Sequence, residues 1–301
     1  MSHVEVLGSR EPRWIGAQDL PECFGELSRP PAGLWCLGDE GSLAGAPDGH
    51  VAIVGTREAS PYGIRVAERL AAACARAGLV VVSGLARGVD AAAHRAALAE
   101  GGRTIGVQGT GVDVPYPASH RTLHDALIRR GTVISEMEPG TRATPGCFPR
   151  RNRLIAALCR VTVVVEAGFK SGAINTASQA LDLGRTVAAV PGRIDDAGSS
   201  GANLLIRDGA QVIIEIADLL ALFGPQFALR HQESLRARSE SPVAGRDPAG
   251  GSRGRQPLGP GLSEEGQGPG GSPRELAEGL LRAELDGSLR RVGPGLMAPG
   301  R

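Results

Sequence analysis

The regular alternation of short apolar runs with segments of helical spacing most limits what this chain can fold into. Seven runs are rich in β-branched residues, which is typical of strands buried on both faces of a parallel sheet. They cover residues 51–54, 79–83, 104–107, 132–135, 161–166, 186–190 and 211–214. Segments between them, at 64–77, 90–99, 120–130, 151–158 and 175–183, have the spacing of helices. Right-handed βαβ units follow, so we predict an α/β fold with an extended Rossmann-like, doubly wound, mostly parallel sheet.

The composition changes along the chain and predicts four regions. Residues 1–50 are rich in Pro and Gly and contain Trp14 and Trp35, and we expect a leader packed on the core along its first strand. Residues 51–224 form the Rossmann-like domain. Residues 239–273 are mostly Gly, Pro, Ser and Arg and cannot bury enough apolar surface to fold, so we expect a disordered linker. Residues 274–301 are expected to form a small module, a helix at 275–285 followed by a ribbon.

Overall charge and cysteine content exclude several classes of protein. The 33 basic and 32 acidic residues give a net charge of +1, so any contact with a polyanion must be local. The five cysteines are odd in number and show no Cys-x-x-Cys pair, so neither a zinc site nor a disulfide framework is predicted. No signal sequence and no run of ~20 apolar residues is found. We expect a cytosolic protein with no membrane partner.

The loops at the carboxyl ends of the predicted strands carry the candidate binding residues, because ligands of open parallel sheets bind there. Glycines in these loops let the backbone approach a ligand, and the polar side chains can donate to phosphate oxygens. The candidates are Gly55, Thr56, Arg57, Ser83, Gly84, Arg87, Gly109, Gly111, Lys170, Ser171 and Gly172. Each short glycine motif alone could equally be a turn without a ligand. Their joint placement at strand ends favours an anion site.

Residues 148–153 concentrate three arginines, an amide and an aromatic ring at the start of a helix. Single-stranded nucleic acid is held in this way, with cations along the backbone and a ring under a base. Phe148, Arg151, Asn152 and Arg153 are therefore candidates for contacting single-stranded DNA. A solvated helix start is the alternative. We favour the anion site, because arginines at the positive end of a helix need an anion beside them.

Three other motifs suggest chemistry that we do not favour. His120 and His124 have the spacing of a metal pair, but no third ligand follows, and an exposed helix face is the preferred interpretation. Asp90 and His94 could form a catalytic dyad, but no nucleophile elbow is present, and we expect Asp90 to cap its helix. Residues 168–172 do not satisfy the Walker A spacing. No metal and no cofactor are predicted.

Taken together, the loops resemble the DNA-processing protein A (Smf) family, which accompanies natural transformation and recombination in bacteria. The matching motifs follow family order across about 165 residues. They lie at 51–57, 82–94, 116–117, 135–136, 148–153, 165–167, 171–172, 190–192 and 203–210. The resemblance implies a homodimer that binds single-stranded DNA and helps to load the RecA recombinase, without catalytic turnover. By motif, it places the DNA pocket on Gly55–Arg57, Arg87, Phe148, Arg151–Arg153, Ser171 and Gly172.

The chain departs from the family pattern at both ends. Many relatives carry a helical domain before the first strand, for which residues 1–50 leave no room. Many also end in a winged-helix module, whereas residues 272–300 resemble only its last helix and wing. The sequence therefore predicts a truncated, winged-helix-like tail and leaves open whether it folds or binds duplex DNA.

Two other functions remain open on the same fold. Nucleotide phosphoribohydrolases of the lysine-decarboxylase-like family carry a catalytic glutamate where this chain has Gln179, so a general acid or base has no candidate there. A sensor of free nucleotides would use the same arginines and Phe148. Affinity that rises with oligonucleotide length and falls steeply with salt would separate DNA binding from nucleotide binding.

Overall fold

The computed structural model describes residues 9–144, 146–240, 289–293 and 296–299 of the chain. The chain divides into two compact units, Met1–Val243 and Ala244–Arg301. The first unit contains a nine-stranded sheet with the order β1-β2-β6-β5-β4-β3-β7-β8-β9. Its strands are β1 (Ser9–Gly16), β2 (Gly33–Gly38), β3 (His50–Val54), β4 (Val80–Ser83), β5 (Thr104–Val107), β6 (Thr132–Ser135), β7 (Val161–Val164), β8 (Thr186–Ala189) and β9 (Gln211–Val212).

The seven predicted strands are β3 to β9, and every neighbouring pair among them runs parallel. Their apolar composition follows from burial on both sides. Val51 and Ile53 of β3 pack into one apolar layer, whereas Ala52 and Val54 pack into the layer on the other face. The mostly parallel, doubly wound, Rossmann-like sheet is confirmed.

Helices cover both faces of the sheet. One face carries α1, α2, α7 and α8, and the other carries α4, α5 and α6. The bounds are α1 (Pro61–Arg76), α2 (Val89–Ala99), α3 (Arg121–Arg130), α4 (Cys147–Leu158), α5 (Gly172–Asp182), α6 (Ser200–Arg207), α7 (Ile216–Ala221) and α8 (Pro225–Glu240). The five predicted helices correspond to α1 to α5. None of the helices among the described residues combines the length and apolar character that a bilayer crossing requires.

The sequence suggested that the N-terminal region lies along the first predicted strand, β3. The structure places it elsewhere. Strand β2 pairs antiparallel with β6 at the other side of the sheet, and β1 pairs with β2. The ring centroids of Trp14 and Trp35, on these two strands, lie 5.4 Å apart. Phe24 and Leu34 are buried in the apolar layer beside α4. The region therefore widens the sheet, because the edge of β6 offers free backbone groups and β3 is already paired on both sides.

The first unit also continues beyond residue 224, where the predicted domain ended. Helix α8 packs Phe227 and Ala228 against the layer formed by α1 and α7, and the rings of Phe223 and Phe227 lie 5.8 Å apart. The helix reaches Glu240, so the first residues of the predicted linker are helical. Most of that linker lies outside the described residues.

The second unit is described only at its C-terminal end. Strands β10 (Leu289–Gly293) and β11 (Leu296–Pro299) pair antiparallel, with Leu289 opposite Pro299. This is the position of the predicted ribbon. The helix predicted at 275–285 lies outside the described residues.

Candidate nucleic-acid interface

The chain order reverses at β3, which lies between β4 on one side and β7 on the other. Crossovers leave such a point in opposite directions, so the loops beyond the carboxyl ends of these strands open a crevice between them. The loops after β3, β4 and β7 carry Gly55–Arg57, Ser83–Arg87 and Lys170–Gly172. The fold therefore brings most of the loops predicted from sequence to one edge of the sheet.

A pocket of about 200 Å³ opens at this edge, and we call it the switch-point pocket. Its lining includes Arg57 from the loop after β3, Arg87 from the loop after β4, and Phe148 from the first turn of α4. Arg57 and Arg87 are exposed, and neither forms an ion pair within the part of the chain that the structure describes. The pocket thus presents free positive charge beside an aromatic ring.

Two rings and a guanidinium form a stack at the pocket. The ring centroids of Phe148 and Tyr116 lie 4.8 Å apart with planes inclined by 34°, and the Arg57 guanidinium lies 5.3 Å from the Phe148 centroid. A cation over an aromatic face and a neighbouring ring are the elements that hold a nucleobase next to its phosphate. Tyr116 and Ser119, which also line the pocket, were missed as site residues. The Tyr-Pro motif at 116–117 was the available signal for Tyr116.

Arg151 forms the buried wall of the pocket. Its side chain donates through Nη1 to the carbonyl oxygens of Gly84, at 2.7 Å, and of Val107, and it is only 6% exposed. Burial lowers the pKa of Arg151 to about 10, while the nearby charge of Asp90 opposes this shift. Nη2 has no hydrogen-bond partner among the described residues. Arg151 therefore links the loops after β4 and β5 to α4, and its Nη2 group remains available as a hydrogen-bond donor.

Asp90 does not cap its helix, contrary to the expectation from sequence. Gly88 holds the N-cap position of α2 and makes no side-chain cap. The Asp90 carboxylate instead accepts from the backbone amides of Gly84 at 3.0 Å and Ala86 at 3.3 Å. Burial raises its pKa, opposed by the charge of Arg151. A Cβ at Gly84 would collide with both of these side chains, so packing alone accounts for this glycine.

Arg153 points away from the switch-point pocket and is held by an internal carboxylate. Its Nη2 donates to Glu136 Oε1 at 2.6 Å, and both side chains are largely buried. Arg150 approaches the other oxygen of Glu136 at 3.7 Å. Two of the three arginines that open α4 therefore share an anion supplied by the loop after β6.

Asn152 joins the start of α4 to the loop after β7. Its Nδ2 donates at 3.2 Å both to the carbonyl oxygen of Gly172 and to Asn175 Oδ1. Ser171 caps α5 by accepting from the amide of Ala173 at 3.3 Å. Lys170 is exposed beside these residues and makes no ion pair in the described part of the chain.

The remaining loop candidates are engaged within the protein. The amide of Thr56 donates to the carbonyl oxygen of Glu166 at 2.7 Å, and a Cβ at Gly55 would meet Val89 at 2.5 Å. Ser83 is buried and donates to the carbonyl oxygen of Ile53 at 2.7 Å. A Cβ at Gly109 would meet Cys147 at 3.2 Å. A Cβ at Gly111 would meet the backbone of Glu138 at 2.6 Å and that of Gly140 at 2.9 Å.

The N-terminus of α1, which faces the same edge, already has an anion. The Glu166 carboxylate accepts from the Ser60 hydroxyl at 2.8 Å and from the Ser60 amide at 3.2 Å. The positive end of α1 is thus neutralised internally. The unneutralised positive charge described at this edge therefore lies on the arginine side of the crevice.

The paired histidines are buried, and the expectation of an exposed helix face was wrong. His120 contacts the carbonyl oxygen of Leu85 at 3.0 Å, and His124 contacts that of Val112 at 2.8 Å. Both rings face inwards because α3 lies against the loops after β4 and β5. Within the described residues, no group of three or more His, Cys, Asp or Glu is arranged to hold a metal.

Comparisons with known proteins agree with one another. Residues 12–224 match the model of the family described as DNA recombination-mediator protein A. The putative DNA processing protein DprA of Mycobacterium tuberculosis is 46% identical over 194 residues, which are 64% of this chain and 50% of that protein. DprA of Streptococcus pneumoniae is 44% identical over 173 residues, 58% of this chain and 61% of that protein. The chain thus spans about half or somewhat more of these relatives.

Two solved structures share the fold. The X-ray structure of S. pneumoniae DprA superposes with a TM-score of 0.66 and 39% identity, covering 70% of this chain and 74% of that one. DNA processing protein A of Helicobacter pylori, whose structure concerns its single-stranded DNA binding mode, gives a TM-score of 0.63 at 33% identity. It covers 69% of this chain and 94% of that one.

Proposed function

The chain belongs to the DNA recombination-mediator protein A family, and from that premise we propose that it binds single-stranded DNA at the switch-point pocket. Arg57, Arg87 and the free Nη2 of Arg151 neutralise phosphates, and Phe148 stacks with a base. The stack of Arg57, Phe148 and Tyr116 carries this proposal, because it places a cation and two rings within one pocket. The structure of the H. pylori relative, which concerns single-stranded DNA binding, supports the same ligand.

The pocket favours binding over catalysis. Its lining, as far as the structure describes it, contains three arginines and no carboxylate. Gln179 stands where a phosphoribohydrolase needs its glutamate, and the buried Glu166 is engaged by Ser60. No carboxylate in the described lining is placed to act as a general acid or base beside a bound nucleotide. The protein acts, in this proposal, as a non-catalytic carrier of single strands in the cytoplasm.

The family match supports a proposal for the role in the cell. We propose that the protein protects incoming single strands during natural transformation and helps to load RecA on them, as a recombination mediator would. Self-association is part of the proposal. The edge strand β9 exposes Val212 by 39%, and Ile214 just beyond it is 82% exposed, as expected for an edge that pairs with a second copy. Sedimentation of the protein and RecA nucleation rates on single strands test these two points.

The binding proposal is tested by fluorescence anisotropy with labelled oligothymidine and its duplex counterpart at two salt concentrations. We expect salt-sensitive binding of the single strand, which Arg57→Ala weakens on every sequence alike, because phosphate contacts do not read bases. Arg103→Ala is the matched control, since Arg103 is an exposed arginine before β5, at the other edge of the sheet. Equal losses in both variants, or affinity independent of oligonucleotide length, would contradict the proposal, and the latter would indicate a free nucleotide as ligand.

A further inference from the structure

We propose that single-stranded DNA leaving the switch-point pocket continues along the groove between α2 and α3, where Arg95 and Arg130 hold its phosphates. This inference rests on the proposed function, and it extends the DNA path to a surface that none of the sequence motifs covers. The groove has a volume of about 320 Å³. Its lining includes Arg95, Leu98, Ser119, Thr122, Leu123 and Arg130.

The groove and the pocket are continuous. Ser119 lines both of them, so a strand that lies in the pocket beside Tyr116 is next to the groove at the start of α3. From there the groove follows α3 to its last turn. The helical part of this path, Arg121–Arg130, is about 15 Å long at about 1.5 Å per residue. That distance leaves room for nucleotides beyond those bound in the pocket.

The charge of the groove fits a phosphate backbone. Arg95 and Arg130 are exposed, and neither forms an ion pair within the described ranges. The described lining contains no carboxylate, and Asp125 of α3 lies 3.9 Å from His124 rather than in the groove. Two unpaired guanidinium groups on one open surface attract a polyanion although the whole chain is nearly neutral.

The other lining groups suit a backbone contact without base readout. Ser119 and Thr122 offer hydroxyl donors of the kind that bind phosphate oxygens. Leu98, Leu123 and Ala126 form an apolar floor, and the His120 ring in the described lining is buried against the carbonyl oxygen of Leu85, so it offers no open face to a base. We therefore expect the groove to hold the strand without sequence preference, while the stacking of bases remains confined to the pocket.

The path does not extend across α2 beyond Arg95. The next cleft, between α1 and α2, also includes Arg95 but contains Glu68 and Glu100. Glu100 binds Arg76 at 2.8 Å and Arg238 at 2.5 Å. The arginines of that cleft are thus partly neutralised within the protein, and carboxylates there repel a phosphate. Arg69 of that cleft has no ion pair in the described part of the chain, but the carboxylates beside it make the cleft less favourable to a phosphate than the α2–α3 groove.

The test uses the double variant Arg95→Gln with Arg130→Gln and two labelled oligothymidines. Lengths of about 6 and about 20 nucleotides bracket much of the site-size range known for single-strand binding folds. On the longer strand, the slope of log affinity against log salt should fall by about 1.4, or about 0.7 for each lost phosphate contact. Binding of the shorter strand, which the pocket holds alone, should not change. Arg129→Gln is the matched control, because Arg129 neighbours Arg130 on α3 but does not line the groove.

Each outcome separates the groove from the pocket. An unchanged slope on the longer strand, an equal loss on both lengths, or an equal loss in Arg129→Gln overturns the groove. Loss of all binding by Arg57→Ala with no effect of the double variant leaves the proposed function intact and removes only the extension. Failure of the wild-type protein to bind either strand removes both. Circular dichroism and thermal unfolding verify that the variants are folded.

Discussion

Four arginines predicted to contact DNA fall into two different regions of the molecule. Arg57 and Arg87, on the loops after β3 and β4, are exposed and free of ion pairs in the described structure. Arg151 and Arg153, in the first two turns of α4, are largely buried and bound to backbone carbonyls or to Glu136. An arginine at a helix start thus does not require an external anion, because the protein can supply its own. In the proposed function, the first region supplies most of the charge that binds phosphates, whereas the second mainly holds the loops in place and adds only the Nη2 donor of Arg151.

Substitution of Arg151 should have the largest effect of any change in the two regions. Arg151→Met removes the charge that faces the buried Asp90 carboxylate and also the hydrogen bonds to the carbonyl oxygens of Gly84 and Val107, and each lost bond to a charged group costs about 1.5–3 kcal/mol. We expect the free energy of unfolding to fall by this order, as measured by urea denaturation. Arg150→Met, which removes the preceding and exposed arginine, should change it by less than about 0.5 kcal/mol.

A double variant sharpens this prediction. Asp90→Asn combined with Arg151→Met should recover part of the lost stability, since the buried charge is removed while the amides of Gly84 and Ala86 keep an acceptor. If Arg151→Met unfolds as the wild type does and loses only DNA affinity, Arg151 belongs with Arg57 and Arg87, and the division of the two regions fails.

Phe148 lies on α4 but belongs to the binding region, and its substitution should affect affinity rather than stability. Phe148→Ala removes the ring that stacks with Tyr116 and lies under Arg57, so binding of oligothymidine should weaken by about 1–3 kcal/mol. Phe148→Tyr keeps the ring and should bind nearly as the wild type does. Equal losses of affinity in both variants would argue against base stacking. Fluorescence anisotropy measures the affinities, and thermal unfolding checks the fold.

The sequence predicted the sheet better than it predicted the site, for identifiable reasons. The strands β3 to β8 were found because burial on both faces leaves a continuous apolar run, whereas α8 was missed because its many charged residues hide the contacts of Phe227 and Ala228. The loops of the site were located because glycines and arginines mark strand ends. The sequence could not show which arginines are free of internal partners. Glu136 approaches Arg153, and the carbonyl oxygen of Gly84 approaches Arg151, only in the folded chain. Tyr116 was missed for the same reason, because its ring meets Phe148 only in the folded chain and its Tyr-Pro motif was the available sequence signal.

Buried His94 of α2, whose pKa the charge of Arg151 helps to lower, should make the stability of the protein depend on pH. Burial, aided by the charge of Arg151, lowers the pKa of His94 to about 3, from 6.5 in the unfolded chain. The unfolded state then binds more protons below pH 6.5, so the stability contributed by neutral His94 is full above that pH and is lost as pH falls towards 3. From pH 7.5 to 5.5 the loss should be about 1.4 kcal/mol.

The comparison with His94→Leu isolates this contribution. The variant should be less stable at pH 7.5, since the hydrogen bond with Thr104 at 2.7 Å is lost, but its stability should change less with pH. The lowered pKa values of His50, His124 and His231 act in the same direction, and the raised pKa of Asp90 acts in the opposite one. All four remain in both proteins. Urea midpoints measured at pH 7.5 and 5.5 test this. If the midpoint shifts equally with pH in the wild type and in His94→Leu, the assignment to His94 is wrong.

The smallest expected effect compares one arginine from each region. Arg87→Gln removes one free charge at the pocket, so the slope of log affinity against log salt for oligothymidine should fall by about 0.7 with stability unchanged. Arg153→Gln should do the reverse, because its charge is already neutralised by Glu136 and only the ion pair is lost. Its slope should match the wild type while its urea midpoint drops. Should both variants lower the slope equally, Arg153 must leave Glu136 when DNA binds, and α4 would then take part in binding as the sequence alone suggested.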